Sequence, residues 1–121
     1  MKLLGNTTSY LFNLLDLLDF IRQLGDNMVV AEVSIIPLGE GASVSKYVKK
    51  AIEVFKKYDL KIEYSAMATI LEGDLNEVLL AFKEAHEEVL KDTTRVVSSL
   101  KIDERKDKEN TIDRKLKAIS Q

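Results

Sequence analysis

The sequence predicts an α+β fold, in which one four-stranded antiparallel sheet carries two helices on one of its faces. Four short segments alternate apolar and polar side chains with the period of a β-strand, and two longer segments repeat apolar residues with the period of an α-helix. These segments follow one another in the order β-α-β-β-α-β. A chain with this order closes as a ferredoxin-like sheet with both helices on the same face. Its 121 residues suffice for one hydrophobic core but not for two independent ones.

The composition limits the classes of function. Lysine and arginine total 18 against 20 aspartates and glutamates, a formal net charge of −2, which gives no bulk electrostatic case for nucleic acid or an anionic membrane as partner. Because the chain has no cysteine, disulfides, thiolate metal ligands and cysteine nucleophiles are excluded. A single histidine argues against a structural zinc site within one chain. We expect a cytoplasmic protein that uses neither a metal nor a cofactor.

Residues 1–27 differ in character from the rest of the chain. Apolar side chains crowd residues 10–24, and a narrow polar stripe recurs among them at three-residue spacing. The pattern predicts an amphipathic helix docked on protein rather than a membrane span or a signal peptide. An alternative is that Met28 is the true start and residues 1–27 are not native protein. The compact domain is expected to comprise residues 28–121. The polar stripe consists of Asn13, Asp16, Asp19 and Arg22.

The first strand is predicted over Val29–Leu38, with one fully apolar face and one mixed face. Pro37 ends its pairing because proline has no backbone N–H to donate. Ser43 or Ser45 can cap the helix that follows. In that helix, apolar residues recur at helical spacing and lysines take the outer face, where we expect them to be solvated rather than to bind phosphate. The apolar set is Val44, Val48, Ala51, Ile52 and Phe55.

Two further strands are predicted at residues 60–65 and Thr69–Glu72. A tight reversal at Ala66–Ala68 joins them into a hairpin. We interpret Gly73, which follows the second of these strands, as a turn. The hairpin therefore leads directly into the second helix.

The second helix begins with Asp74 and Glu77, which form a capping-box pattern. His86 lies beside its buried stripe, and no second metal ligand is near it in the sequence. We therefore interpret His86 as a surface or boundary side chain rather than a metal ligand or a catalytic group. The buried stripe is predicted to comprise Leu75, Val78, Leu79, Phe82, Ala85, Val89 and Leu90.

The fourth strand is predicted over Arg95–Ile102, followed by a charged turn. Thr111 can then cap a short terminal helix that runs through Ile119. Both large helices lie on one face of the sheet, so the other face is left open. From the first strand that open face carries Val30, Glu32, Ser34 and Ile36. A face this apolar generally marks a ligand site or an interface, and a homo-oligomer interface explains it as well as a ligand site does.

The residues best suited to line a small-molecule site lie within nine positions of one another. They are the hydroxyls of Ser65 and Thr69, the carboxylate of Glu72, the ring of Tyr64 and the thioether of Met67. Together they offer hydrogen-bonding groups beside apolar cover, which is the usual chemistry of a ligand pocket.

Four segments resemble those of one family: MVVAEVSIIPLG at 28–39, SVSKYV at 43–48, EGDLNEV at 72–78 and KIDER at 101–105. Taken in order across residues 28–118, they resemble the YkoF-like thiamine-binding family of small ferredoxin-like proteins. The resemblance implies a domain that pairs into dimers, and usually tetramers, through sheet faces. It also implies binding of thiamine or its hydroxymethylpyrimidine portion without catalysis. The N-terminal segment lies outside the resemblance.

The chemistry of thiamine suggests which residues such a site would use. An aminopyrimidine needs flat apolar or aromatic cover, an acceptor for its exocyclic amine and a partner for a ring nitrogen, whereas a thiazolium cation favours a carboxylate or an aromatic face. The polar contacts are expected from Glu32, Ser34, Ser65, Thr69 and Glu72. The cover is expected from Ile36, Tyr64 and Met67.

The hairpin departs from the family pattern at one position. Family members commonly have Met-Gly-Thr where this chain has Met67-Ala68-Thr69. Alanine cannot adopt a positive φ as cheaply as glycine, so we expect a reshaped reversal here.

Two other functions compete with ligand binding. The open face and the N-terminal helix could bind protein, which would make the chain a structural or regulatory interaction module without a ligand. An enzyme is the least favoured, because the sequence has no Gly-rich phosphate loop, no G-x-S-x-G elbow and no histidine paired by sequence with a nucleophile.

Overall fold

The computed structural model describes residues 27–120, so the predictions made for residues 1–26 lie outside the described part of the chain. The predicted α+β order of elements is confirmed, including the short terminal helix. Within residues 27–120, no helix combines the length and the apolar character that a membrane crossing requires. The elements are β1 (Met28–Pro37), α1 (Ser45–Phe55), β2 (Lys61–Tyr64), β3 (Thr69–Asp74), α2 (Leu75–Leu90), β4 (Val96–Asp103) and α3 (Ile112–Ile119).

The four strands form one antiparallel sheet in the order β2-β3-β1-β4. β1 is the longest strand and pairs with β3 on one side and β4 on the other. Both α1 and α2 pack on the same side of this sheet, which is the ferredoxin-like arrangement that the element order predicts. The core between the helices and the sheet contains Val29, Ala31, Val33, Ile35, Tyr47, Ala51, Val54, Phe55, Leu71, Val78, Ala81, Ala85 and Val89.

The alternation along β1 assigns each residue to a face. Val29, Ala31, Val33 and Ile35 are buried, whereas Glu32 and Ile36 are exposed. Because side chains of a strand point alternately to opposite faces, odd-numbered residues of β1 face the helices and even-numbered residues face away. We call these two surfaces the helix face and the open face.

Gly73 lies inside β3 rather than in a turn, so that interpretation was wrong. It pairs with Val29 and is buried. A Cβ at this position would lie 2.5 Å from Leu60 Cδ2 and 3.2 Å from the carbonyl oxygen of Asp59. Glycine at this position therefore allows the chain that enters β2 to approach β3 closely, which is one of the usual reasons for a glycine inside a strand.

The start of α2 confirms the predicted cap in part. The Asp74 carboxylate accepts from the backbone N–H groups of Asn76 at 2.9 Å and Glu77 at 3.4 Å. The Glu77 carboxylate does not complete the box, because it accepts instead from the backbone N–H of Asp59 at 3.3 Å. Glu77 thus ties α2 to the turn before β2.

The predicted serine cap of α1 is wrong. Its N-cap is Val44, which makes no side-chain capping hydrogen bond. The Val44 carbonyl accepts from Tyr47 N at 2.9 Å and Val48 N at 3.2 Å, so the helix begins through backbone hydrogen bonds alone. Ser43 and Ser45 are both exposed.

The C-terminal helix covers one end of the open face. Thr111 caps it as predicted, because its hydroxyl accepts from Arg114 N at 3.1 Å. Lys61 pairs with Asp113 at 3.3 Å, and Lys115 pairs with Asp103. These contacts hold α3 against the end of the sheet at which β1 begins, and at the other end of the open face Ile36 and Val97 are exposed.

Candidate functional site

A cleft of about 480 Å³ lies between α1, the end of β1 and the β2–β3 hairpin. We call it the hairpin cleft. Its walls are mostly aliphatic, and its polar side chains are the hydroxyl groups of two serines, one threonine and one tyrosine. It is lined by Val33, Ser34, Ile35, Ile36, Val44, Val48, Ala51, Ile52, Phe55, Tyr64, Ser65, Ala66, Met67, Ala68 and Thr69.

Unequal strand lengths create this cleft. β1 runs through Pro37 and stays paired with β4 to its end, where Pro37 lies opposite Val96, so the prediction that Pro37 ends the pairing is wrong on this side. On its other side the last pair is Val33 with Thr69, because β3 begins there. The last four residues of β1 therefore have a strand on one side only, and the cleft occupies the space on the other side.

The hairpin that forms the far wall closes without an unusual backbone conformation. Ser65 N donates to the carbonyl of Ala68 at 3.1 Å, and Met67 N donates to the Ser65 hydroxyl at 3.4 Å. Within residues 27–120 only Gly39 and Gly41 have positive φ. Ala68 therefore turns the chain with an ordinary φ, and the left-handed conformation that would favour glycine is not used.

The near wall is α1, which lines the cleft with residues between Val48 and Phe55. Tyr47, on the buried side of this helix, donates its hydroxyl hydrogen bond to Glu40 Oε1 at 2.7 Å. This hydrogen bond, together with burial, raises the pKa of the Tyr47 hydroxyl above its usual value. The contact ties the glycine-containing β1–α1 connection to α1, beside the residues that line the cleft.

Six of the eight residues predicted for the site line the hairpin cleft. They are Ser34, Ile36, Tyr64, Ser65, Met67 and Thr69. Tyr64 and Met67 are 66% and 87% exposed, so the aromatic ring and the thioether lie at the rim rather than in the depth of the cleft. Tyr64 and Thr69 pair directly across the hairpin and face the helix side of the sheet.

The two predicted carboxylates are not in the cleft. Glu32 is on the open face, exposed, with Lys101 Nζ at 3.9 Å. Glu72 is also on the open face, where its Oε1 accepts from Ile112 N at 2.8 Å. Glu72 thus binds the first turn of α3, and none of the described residues that line the hairpin cleft carries a charge.

Sequence reasoning missed the contribution of α1 to this site. Val44, Val48 and Ile52 were predicted only as part of the apolar face of the first helix, but all three line the cleft, and Val48 is 41% exposed. Their helical spacing predicts that they share one face of α1, but it does not predict the distance between α1 and the hairpin. The exposure of Val48 reflects the space between the two.

The lone histidine takes part in a different contact. His86 is partly buried on α2, and its Nδ1 lies 2.6 Å from the Ser98 hydroxyl of β4. This position agrees with the interpretation of His86 as a boundary side chain. The pair lies outside the set of residues that line the hairpin cleft.

A family model described as thiamine-binding protein matches residues 31–120. The chain belongs to this thiamine-binding protein family. The matched range includes every residue of the hairpin cleft. The family is thus described by a binding activity rather than by a reaction.

Relatives and solved structures support the same fold. The UPF0045 protein MJ1052 of Methanocaldococcus jannaschii is 82% identical over 93 residues, which cover 77% of this chain and 93% of that protein. Its crystal structure matches 78% of this chain and 97% of its own with a TM-score of 0.76 and 81% identity. A UPF0045 protein of Methanothermobacter thermautotrophicus is 41% identical over 97 residues, covering 78% of this chain and 98% of that protein.

A more distant structure shows the fold alone. A Thermotoga maritima protein, a candidate for thiamine biosynthesis or salvage, matches with a TM-score of 0.66 at 24% identity. The match covers 75% of this chain and 97% of that one. The four-stranded sheet with two helices on one face is therefore shared across this range of sequences.

Proposed function

We propose that this protein binds thiamine or its hydroxymethylpyrimidine portion in the hairpin cleft, without catalysing a reaction, and that it does so as a cytoplasmic homo-oligomer. The observation that carries the proposal is an uncharged, largely aliphatic cleft rimmed by hydroxyl groups, in a chain that belongs to a thiamine-binding family. Its volume of about 480 Å³ is in the range of small-molecule pockets.

The side chains of the cleft suit the pyrimidine portion best. Val48 and Ile52 offer apolar cover from α1, and Ser65 and Thr69 offer hydroxyl groups from the hairpin. Hydroxyls both donate and accept, so they can serve an exocyclic amine and a ring nitrogen. Because the lining has no carboxylate, the thiazolium cation would depend on the ring of Tyr64 or on solvent at the rim.

Titration calorimetry on the full chain with thiamine and with hydroxymethylpyrimidine tests this function. We expect Val48→Trp to weaken binding about tenfold or more, because the larger indole would occupy space in the cleft that the ligand needs. The matched control is Leu80→Trp, since Leu80 is 54% exposed on α2 and lies outside the cleft. The control should bind like the wild type.

Two results would count against the proposal. The first is the absence of heat for both ligands at millimolar concentration. The second is equal binding by the Val48→Trp and Leu80→Trp variants, which would move the ligand away from the cleft.

The end of the open face away from α3 supports self-association. Ile36 and Val97 pair across β1 and β4 there, and they are 46% and 48% exposed. Adjacent exposed aliphatic side chains on a sheet face favour an interface. Val97→Glu should therefore give a smaller particle in light scattering than the wild type and the control Leu80→Glu. An unchanged mass would exclude this face as the interface.

The same exposed surface keeps a second function open. Leu116 and Ile119 of α3 are 52% and 79% exposed, so this helix too offers apolar side chains to a partner. A structural or regulatory interaction module would use them to bind another protein. Co-purification of a stoichiometric protein partner, with no small molecule in native mass spectra, would favour this function over ligand binding.

A further inference from the structure

We infer that the hairpin cleft recognises its ligand through the backbone of Ile35, so that the ligand class is a planar heterocycle with a hydrogen-bond donor beside an acceptor. The inference rests on the proposed function and deepens it. An aminopyrimidine has such an edge, formed by its exocyclic amine and the adjacent ring nitrogen. The pyrimidine end of thiamine, rather than the thiazolium or a phosphate, would then be the recognised portion.

The strand register gives the direction of the backbone groups of β1. Leu38 N donates to the Arg95 carbonyl at 2.9 Å, so even-numbered residues at this end exchange hydrogen bonds with β4. Leu75 N donates to the Asn27 carbonyl at 2.9 Å, so odd-numbered residues exchange them with β3. In an antiparallel pair these positions alternate along the strand. The N–H and the C=O of Ile35 therefore both point towards the side of β3.

No strand of the described residues lies opposite Ile35 on that side. β3 begins at Thr69, opposite Val33, and continuing this register by two residues would bring Met67 to Ile35. Met67 is instead 87% exposed at the tip of the hairpin, and its N–H donates to the Ser65 hydroxyl. The hairpin thus reverses before Met67 can pair with Ile35, and the cleft occupies the position that this pair would have filled.

The free edge is too short to take a peptide strand. The next residue that points the same way is Pro37, which offers a carbonyl but no N–H. Addition of a strand needs a repeating series of donors and acceptors, whereas this edge has a single N–H between residues 34 and 37. One N–H followed by two carbonyl acceptors fits a small heterocycle and not an extended chain.

Burial makes this edge selective. Ile35 is 8% exposed, and unpaired backbone groups in such surroundings gain free energy when a ligand completes their hydrogen bonds. Since backbone N–H and C=O groups of a strand lie near the plane of the sheet, a ligand that pairs with them would lie in that plane. Its upper face would then meet Val48 and Ile52 of α1.

The uncharged lining sets the preference among thiamine compounds. With no lysine or arginine in the part of the cleft lining that the structure describes, phosphate groups would find no charged partner there. We expect hydroxymethylpyrimidine and thiamine to bind within about tenfold of each other and thiamine phosphates to bind no more tightly. A thiamine analogue without the 4-amino group should bind about tenfold to a hundredfold more weakly, because it leaves a buried carbonyl unpaired.

Nitrogen-15 NMR on the full chain tests the inference directly. On titration with thiamine, the amide proton of Ile35 should shift downfield as its hydrogen bond forms. The amide of Ile36 is the internal control, because it is directed to β4 and is already in the ladder. A shift at Ile35 that is clearly larger than the shift at Ile36 supports the inference.

A pair of variants isolates the same N–H. Ile35→Pro removes it, and the edge position tolerates proline because no ladder hydrogen bond is lost. Ile35→Ala removes the side chain but keeps the N–H, so it is the matched control for lost packing. Circular dichroism first establishes that both variants fold. We then expect the proline variant to bind thiamine at least tenfold more weakly than the alanine variant.

The outcomes separate this inference from the proposed function. If thiamine shifts the amides of Ser65 and Met67 but leaves Ile35 unmoved, and both variants bind alike, the recognition through Ile35 is wrong while the function stands. If neither thiamine nor hydroxymethylpyrimidine moves any amide resonance, both are wrong. If the two variants fail to fold, the comparison of the Ile35 and Ile36 amides in the wild type decides between these results.

Discussion

Replacing Glu72 with alanine should destabilise the fold and leave thiamine binding unchanged. Glu72 was predicted to contact the ligand, but its carboxylate lies on the open face and accepts from Ile112 N at 2.8 Å. Ile112 is only 7% exposed, so its N–H would lose its acceptor in a mostly buried position. The change therefore removes the side chain that anchors α3 to β3.

The size of the effect follows from this contact. Loss of a side-chain acceptor at a helix start costs about 1 kcal/mol, and an unsatisfied buried N–H costs about 1–3 kcal/mol. Because the Thr111 cap remains and α3 can partly rehydrate, we expect a loss of about 1–2 kcal/mol in the free energy of unfolding. For a domain of this size that is a fall in melting temperature of roughly 5–15 °C.

Glu32→Ala is the matched control, because Glu32 is a carboxylate on the same face of the same sheet. Its cationic neighbour Lys101 lies at 3.9 Å, and both side chains are well exposed. Exposed pairs of this kind contribute little, so the control should change stability by no more than about 0.5 kcal/mol. Urea denaturation followed by circular dichroism measures both variants. Equal stability of the two variants, or loss of thiamine binding in Glu72→Ala alone, would refute the structural role of Glu72.

Three further predictions concern packing, titration and the cleft. Gly73→Ala should lower the free energy of unfolding by about 1–3 kcal/mol in urea denaturation, because the new Cβ would crowd Leu60 Cδ2, and Leu60→Ala should recover part of the loss; an unchanged midpoint would contradict the close approach. The hydrogen bond from Arg105 lowers the pKa of Asp107 to about 2, and Arg105→Ala should return it towards 3.8 in an NMR titration. The lowered pKa stabilises the folded protein at pH values above the ordinary pKa of the carboxyl group, and this stabilisation is lost as the pH falls towards 2. The difference in stability between Arg105→Ala and the wild type should therefore vanish in acid, and a difference that stays constant with pH would contradict the prediction. Thr69→Val should weaken thiamine binding about threefold to tenfold in calorimetry by removing one hydroxyl from the cleft, and an unchanged affinity would exclude a contact there.

The sequence predicts the fold well because its strands and helices have clear periods. The alternation in β1 gives the correct face for each of its residues, and the Asp74 and Thr111 caps are both where the pattern predicts them. Local sequence patterns fail where tertiary contacts determine the choice of residue. From its position before a helix cap, Gly73 was interpreted as part of a turn, but the glycine is needed because Leu60 lies close to it, and no local pattern reveals that contact.

Among the residues that line the hairpin cleft, only ones from the hairpin and from the end of β1 were predicted from the sequence. The alternation in β1 already places Glu32 on the open face, whereas only the register with β1 shows that Glu72 faces away from the helices, and only α3 explains what Glu72 binds. The free edge at Ile35 depends on where β3 begins relative to β1. Pro37 is the one sequence signal for it, since a proline in a strand indicates a position without a ladder partner.

A crystal structure of the full chain with saturating thiamine would show directly where the ligand binds. We expect ligand density in the hairpin cleft, with the aminopyrimidine edge against the backbone of Ile35 and the ring beneath Val48 of α1. Density on the open face beside Glu32, or bound thiamine whose pyrimidine lies away from the end of β1, would contradict it.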